Sequence, residues 1–267
     1  IGMTFISWLS ALGIERFNNQ RKLFLAAACI LELGALAVFK YTGFILGTLS
    51  SITGFPKIIP QIGLPIGISF YTFQLLSYVA DVYRGEVHAQ KKFWMLLLYA
   101  SLFHQCIAGP IVRYKDIERD MNHRIIKINE VDQGIKRFSI GLAKKAILAN
   151  GCAAIADVFL ITDDLKALAN VSALGLWLGA LCFMLQIYLD FSAYSDMAIG
   201  MGLMIGFHYK ENFNYPYIAS SITDFWHRWH ISLSTFFRDY VYIPLGGSRK
   251  GTGRLILNLF IVWFLTG

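Results

Sequence analysis

The sequence predicts an all-α protein, a polytopic bundle of helices in a membrane. Three observations predict it. Of 267 residues, 56% are hydrophobic and 15% charged, where a soluble domain carries about 25% charged residues. The apolar residues come in long runs, and the basic ones gather in the short loops between them. The polar side chains inside the runs are few and clustered, as they must be if each faces protein or water rather than hydrocarbon. No polar linker divides the chain, so residues 1–267 read as one membrane domain.

Ile1 to Ile14 is apolar but short for a crossing, and reads as the tail of a helix. Glu15, Arg16, Arg21 and Lys22 make a polar loop. Leu23 to Phe39 is just long enough to cross. Glu32 inside it must face protein or water, and a base on a neighbouring helix is its expected partner. Tyr41 to Gln61 holds Gly43, Gly47, Gly54, Pro56 and Pro60, which predicts a loop with one short helix. Only Lys40 and Lys57 are basic here, which predicts an extracytoplasmic side.

Ile62 to Val82 predicts the next span, with Pro65 tolerated near its start. Tyr71, Gln74, Ser77 and Asp81 form a polar seam at helical spacing, of the kind that holds helices together. Arg84, Lys91 and Lys92 mark a cytoplasmic loop. Phe93 to Val112 is apolar yet ends in a second basic segment, Arg113 to Lys127. A single crossing would break the charge bias. His104 and the Gly109-Pro110 break instead predict a re-entrant segment.

Asp132 to Phe159 predicts an amphipathic helix whose Lys136, Arg137, Lys144 and Lys145 suit an anionic membrane surface. Asp163-Asp164 and Asn170 mark a loop, and Leu174 to Tyr188 a span. Asp190 and Asp196 then interrupt an apolar run and need bases, backbone donors or a polar cavity. Gly200, Gly202 and Gly206 permit close helix contact. Leu255 to Gly267 opens a last span. The chain starts without Met or a basic leader and ends inside an apolar run, so it is expected to be cut from a longer protein at both ends.

A net charge of +7 raises nucleic acid as a partner, but the bases sit beside apolar spans and no nucleic-acid motif appears. Cys29, Cys106, Cys152 and Cys182 lie in apolar surroundings without C-x-x-C spacing and read as small core residues. No zinc spacing appears, and His227-x-x-His230 lacks a third ligand, so no metal is expected.

Phe225 to Lys250, FWHRWHISLSTFFRDYVYIPLGGSRK, concentrates polar chemistry between apolar runs. A helix over Phe225 to Tyr240, capped by Thr223 or Asp224, would put Asp224, His227 and His230 on one face. It would also bring His230 to Ser234 and Arg228 to Ser232. Imidazole at His230 suits a proton carrier or a substrate hydrogen-bond partner. The same residues also suit an interfacial helix, with aromatics at the headgroups and bases facing phosphates.

W-H-I-S-L-S followed by F-R-D-Y-V-Y-I-P-L-G-G-S-R resembles the signature of the membrane-bound O-acyltransferases, most closely their alginate O-acetyltransferase branch. Three further blocks resemble it in the same order: S-F-Y-T-F-Q-L-L-S-Y-V-A-D-V-Y-R-G, F-H-Q-C-I-A-G-P-I, and D-F-S-A-Y-S-D-M-A-I-G with E-N-F-N-Y-P-Y. The resemblance implies tilted helices with re-entrant and interfacial pieces around a central funnel. It implies acetyl transfer from a cytoplasmic donor, acetyl-CoA, to hydroxyls of an exported polysaccharide. It also implies a bacterial inner membrane and extracytoplasmic acetyltransferase partner proteins. His230 is the supporting catalytic candidate, because the family's invariant histidine is expected beyond Gly267. Asp190, Asp196, Asn212, Trp226, Arg228, Ser232, Arg238 and Asp239 are expected along the substrate path. His230 is expected to face a polar cavity near Asp190 or Asp196, in one network with Arg228 and Arg238. A D-alanyl-transferring relative is an alternative within the family. Outside it, Glu32, Asp190 and Asp196 would suit an ion-conducting or transporter subunit.

Overall fold

The computed structural model describes residues 1–55, 60, 62–105, 109–161 and 165–266. Their regular structure is helical, with no strand among the described residues. In chain order the helices are α1 (Gly2–Arg16), α2 (Arg21–Thr53), α3 (Ile68–Arg84), α4 (Phe93–Ala100), α5 (Tyr114–Asn122) and α6 (Ile128–Ala143). Then follow α7 (Asn150–Phe159), α8 (Leu165–Ala169), α9 (Ala173–Met204), α10 (Ile222–Arg228), α11 (Ile231–Phe237) and α12 (Thr252–Thr266). A π-helical turn, Lys144–Ala149, joins α6 to α7 without a break.

Among the described residues, three helical stretches are long and apolar enough to cross a membrane: Asn18–Thr53, Ile128–Phe159 and Ala173–Met204. Few of the residues in their most apolar stretches are buried by protein. Large apolar side chains such as Leu31, Phe44, Ile147 and Trp177 point outward, an arrangement that lipid accommodates and water does not.

The chain packs as two compact units, Ile1–Ile107 with Ile111–Asn122 and Leu233–Gly267, and Ala108–Pro110 with His123–Ser232.

In the first unit, α2 runs on where a loop was expected at Tyr41. Gly43 and Gly47 sit inside a helix, as glycines do in membranes. The stop is Gly54, left-handed at φ 71°, whose N–H bonds Ser50 O at 2.8 Å. Residues 56–59 and 61 of the expected loop lie outside the described residues. Glu32 is fully buried, and its partner is the Ser7 hydroxyl on α1 rather than a base. Thr4, Ser7, Ser10 and Ala11 make that face of α1 narrow and slightly polar, which lets α2 approach closely.

The seam on α3 is real. Gln74, Ser77 and Asp81 are buried, and Tyr71 only partly. The Tyr99 hydroxyl donates to Val112 O at 2.8 Å, and its ring meets Tyr114 edge-on at 5.3 Å. Within the expected re-entrant segment, α4 spans eight residues and residues 106–108 lie outside those described. Cys29, Cys152 and Cys182 are free thiols.

In the second unit, α6 and α7 pack along α9. A Cβ on Gly134 would come within 2.7 Å of Gly200 O, and one on Gly141 within 2.9 Å of Ala193 O. Seven steps up α6 match seven steps down α9. The helices are therefore antiparallel, with backbones touching along a heptad-spaced face. The span expected at Leu174–Tyr188 continues to Met204, so Asp190 and Asp196 belong to one helix. It ends at left-handed Gly206, φ 80°, with Phe207 N–H on Gly202 O. That is a helix stop rather than the close helix contact expected there.

Candidate functional site

The helix expected from Phe225 to Tyr240 is broken at Trp229 and His230. Ser221, not Thr223 or Asp224, is the N-cap of α10, accepting the Asp224 N–H at 3.1 Å. Trp229 is extended, and His230 takes φ 43°, a left-handed conformation uncommon without glycine. Hydrogen bonds to the preceding loop account for the break. Ile231 N–H donates to Asn212 O at 2.9 Å, and Asn214 N–H to Arg228 O at 2.9 Å. The loop thus supplies partners that a continuous helix would have supplied internally.

The break puts His230 against Asn212. His230 is 8% exposed and Asn212 fully buried. Nδ1 of the ring lies 3.1 Å from Asn212 Oδ1. The same oxygen accepts the Ser232 N–H at 3.2 Å and the Ser232 hydroxyl at 2.9 Å. Asn212 Nδ2 donates to Ser195 Oγ on α9 at 3.0 Å. Phe191 stands edge-on to the imidazole at 4.7 Å, and Phe213 lies parallel to it at 6.5 Å. Behind these rings come Tyr188, Trp229, Tyr217 and Phe225. Burial pushes His230 down to about 4, so the ring is neutral at neutral pH.

The remaining candidates do not join this group as expected. Asp190 and Asp196 pair with bases of the α6–α7 stretch. Lys145 Nζ lies 2.7 Å from Asp190. Lys144 Nζ donates to Asp196 at 2.5 Å, and Arg137 Nη2 reaches the same carboxylate at 3.0 Å. Arg137 also grips Glu211 through two nitrogens. Arg137, Lys144 and Lys145 therefore pair with acids of the same unit, partly exposed at Asp190 and Asp196 and exposed at Glu211, where a membrane surface was the expected partner. Lys136, paired with Asp132, faces outward. Lys144, Lys145 and Asp190 fall near the middle of their 32-residue stretches, where an unpaired charge is costliest.

Arg228 pairs with Asp224 at 2.8 Å, not with Ser232, and holds that carboxyl below its usual range. Trp226 is half-buried and packs edge-on against Phe225. Arg238 and Asp239 belong to a cluster in the first unit. There Asp239 binds Arg238 at 2.9 Å and Arg113 at 3.0 Å. In the same cluster Asp81, fully buried, accepts from Tyr240 Oη at 2.7 Å, with Lys115 at 3.5 Å. Burial alone would raise the Asp239 carboxyl. Its two arginines outweigh that and hold it below the usual range.

Ser195 and Phe191 are site residues that sequence reasoning missed. Ser195 sits directly before Asp196 in the motif D-F-S-A-Y-S-D, where the acids drew attention away from the hydroxyl.

A family model described as "MBOAT, membrane-bound O-acyltransferase family" matches residues 92–267. The chain is 45% identical over 263 residues to the "Probable alginate O-acetylase AlgI" of Pseudomonas aeruginosa, covering 97% of this chain and 49% of that protein. It is 34% identical over 296 residues to the "Peptidoglycan O-acetyltransferase" of Helicobacter pylori, covering 100% of this chain and 55% of the other. It is 33% identical over 181 residues to the "Teichoic acid D-alanyltransferase" of Bacillus subtilis, covering 67% of this chain and 45% of the other. The chain thus spans about half the length of the curated relatives it matches.

Proposed function

The chain belongs to the membrane-bound O-acyltransferase family, and from that premise we propose that it forms part of an enzyme acetylating hydroxyls of an exported polysaccharide. The proposed donor is acetyl-CoA, reaching the bacterial inner membrane from the cytoplasm. Extracytoplasmic proteins then place the acetyl group on the polymer. In the transfer step an acceptor oxygen bonds to the acetyl carbon and the carbon–sulfur bond breaks. The hydroxyl proton leaves with a base and returns to the departing thiolate.

The observation that carries this reading is His230, buried within the matched segment and fixed against Asn212. Burial keeps the ring neutral at neutral pH, so one of its nitrogens keeps a lone pair that can accept a hydrogen bond. That favours orienting a hydroxyl, a supporting role, over removing its proton alone. Alginate is the acceptor favoured by the relatives of highest identity among those compared. The ion-conducting alternative drew on intramembrane Glu32, Asp190 and Asp196; Asp190 and Asp196 lie against lysines, and Glu32 against the Ser7 hydroxyl.

The test is chemical. Cells carrying the full-length protein are compared with cells lacking it, and alkali-labile acetate is measured on the exported polysaccharide. Acetate that depends on the protein is expected. Equal acetate in both, with D-alanine on a polymer changing instead, would assign the alanyl-transfer alternative.

A further inference from the structure

Which nitrogen of His230 carries the proton follows from the backbone. The Ser232 N–H can only donate, so the Asn212 atom 3.2 Å from it must be the amide oxygen. This fixes the orientation of the amide without reference to the ring. The amide nitrogen then faces Ser195 Oγ at 3.0 Å, where a hydroxyl oxygen can accept. Ser232 Oγ stands 3.4 Å from the same ring nitrogen but 2.9 Å from the amide oxygen, and its hydrogen goes to the shorter contact. A carbonyl oxygen cannot donate, so a bond between it and the ring nitrogen 3.1 Å away needs a hydrogen on that nitrogen. That nitrogen is Nδ1. In a neutral imidazole the lone pair is then on Nε2.

We propose that Asn212 is a positioning residue that acts through His230. It locks the ring as the Nδ1–H tautomer, so that Nε2 offers its lone pair to the acceptor hydroxyl. Features around the amide and the ring serve that end. Asn212 is fully buried, and three donors converge on its oxygen. Ser195 anchors its nitrogen from α9. Its own backbone carbonyl receives the Ile231 N–H, which holds His230 in its left-handed turn. Phe191, edge-on at 4.7 Å, limits tilting of the ring. The effect on transfer rests on the acyltransferase reading; the tautomer does not.

The full-length protein, labelled with nitrogen-15 at histidine, separates the two. Solid-state NMR distinguishes a protonated from a lone-pair ring nitrogen, and the His230→Gly variant assigns the signal. Wild-type protein is expected to show protonated Nδ1 and lone-pair Nε2. Asn212→Ala should lose that single tautomer, while Asn212→Asp, which keeps an acceptor oxygen, should keep Nδ1 protonated. Acetyl transfer should fall on the order of 10²-fold in Asn212→Ala, with the acceptor KM within about twofold of wild type. The aspartate variant should retain more activity. A wild-type ring protonated on Nε2 overturns the proposal, and needs no variant to fold. An Asn212→Ala ring that stays wholly Nδ1–H overturns it too, as does a shifted tautomer with unchanged transfer. A wild type with the stated tautomer that transfers no acetyl to any tested polymer sinks the acyltransferase reading instead.

Discussion

His230 pays for its position in backbone strain. A left-handed residue with a side chain costs about 1–2 kcal/mol, which glycine does not incur. His230→Gly and His230→Ala both lose the ring and its bond to Asn212, but only glycine relaxes φ 43°. Thermal unfolding in detergent should therefore find the glycine variant about 1 kcal/mol more stable than the alanine variant. The reverse order would mean that the turn is not strained. Asp239 makes a second prediction. Its carboxyl is depressed by Arg238 and Arg113 against the effect of burial, so its contribution is fully present above the unfolded value of about 3.9. It is lost as pH falls through the folded value. Asp239→Asn should be less stable than wild type at pH 7, and the two curves should converge below about pH 4. The motif around His230 was legible in the sequence, but Asn212 as its partner was not. Their contact needs a helix break that no glycine or proline announces, since the hydrogen bonds of the preceding loop impose it.

At the scale of elements, α6 and α9 depend on glycine at their contact. Gly134→Leu places a side chain where Gly200 O stands 2.7 Å from its first carbon, so the helices must separate. Overpacking of this kind costs about 1–3 kcal/mol, and a lower midpoint than Gly151→Leu is expected, because a Cβ at Gly151 meets nothing within 4 Å. Lys145→Ala strands Asp190 near mid-span. The pair is partly exposed, so a loss of about 1–3 kcal/mol is expected, between surface and buried cases. The double variant with Asp190→Asn should recover part of it. Hydrophobic run lengths made the helices legible, while their ends were not. Gly43 and Gly47 read as loop signals and stand inside α2, where lipid makes any break in backbone hydrogen bonding costlier than a glycine. The bases of the α6–α7 stretch read as surface charge for a similar reason: their partners lie about 45–75 positions on, and the antiparallel register that unites them is visible only in the packing.

For the whole molecule, composition alone announced the membrane, and three apolar helical stretches of 32 to 36 residues agree with it. The grouping of site residues was less legible. A single run of sequence, Arg228 to Asp239, serves two compact units, with Ser232 in one and Leu233 in the other, so nearness in sequence did not predict shared chemistry. His230 is proposed to support acyl transfer by this family member. Transfer is measured in membranes containing the full-length protein and its extracytoplasmic acetyl-transferring proteins, with radiolabelled acetyl-CoA and alginate, by comparing wild type with His230→Gly, the variant that relieves the turn. Label should pass to polymer in the wild type and fall on the order of 10²-fold or more in the variant, with equal protein in the membrane. Undiminished transfer by a folded His230→Gly variant would contradict the claim.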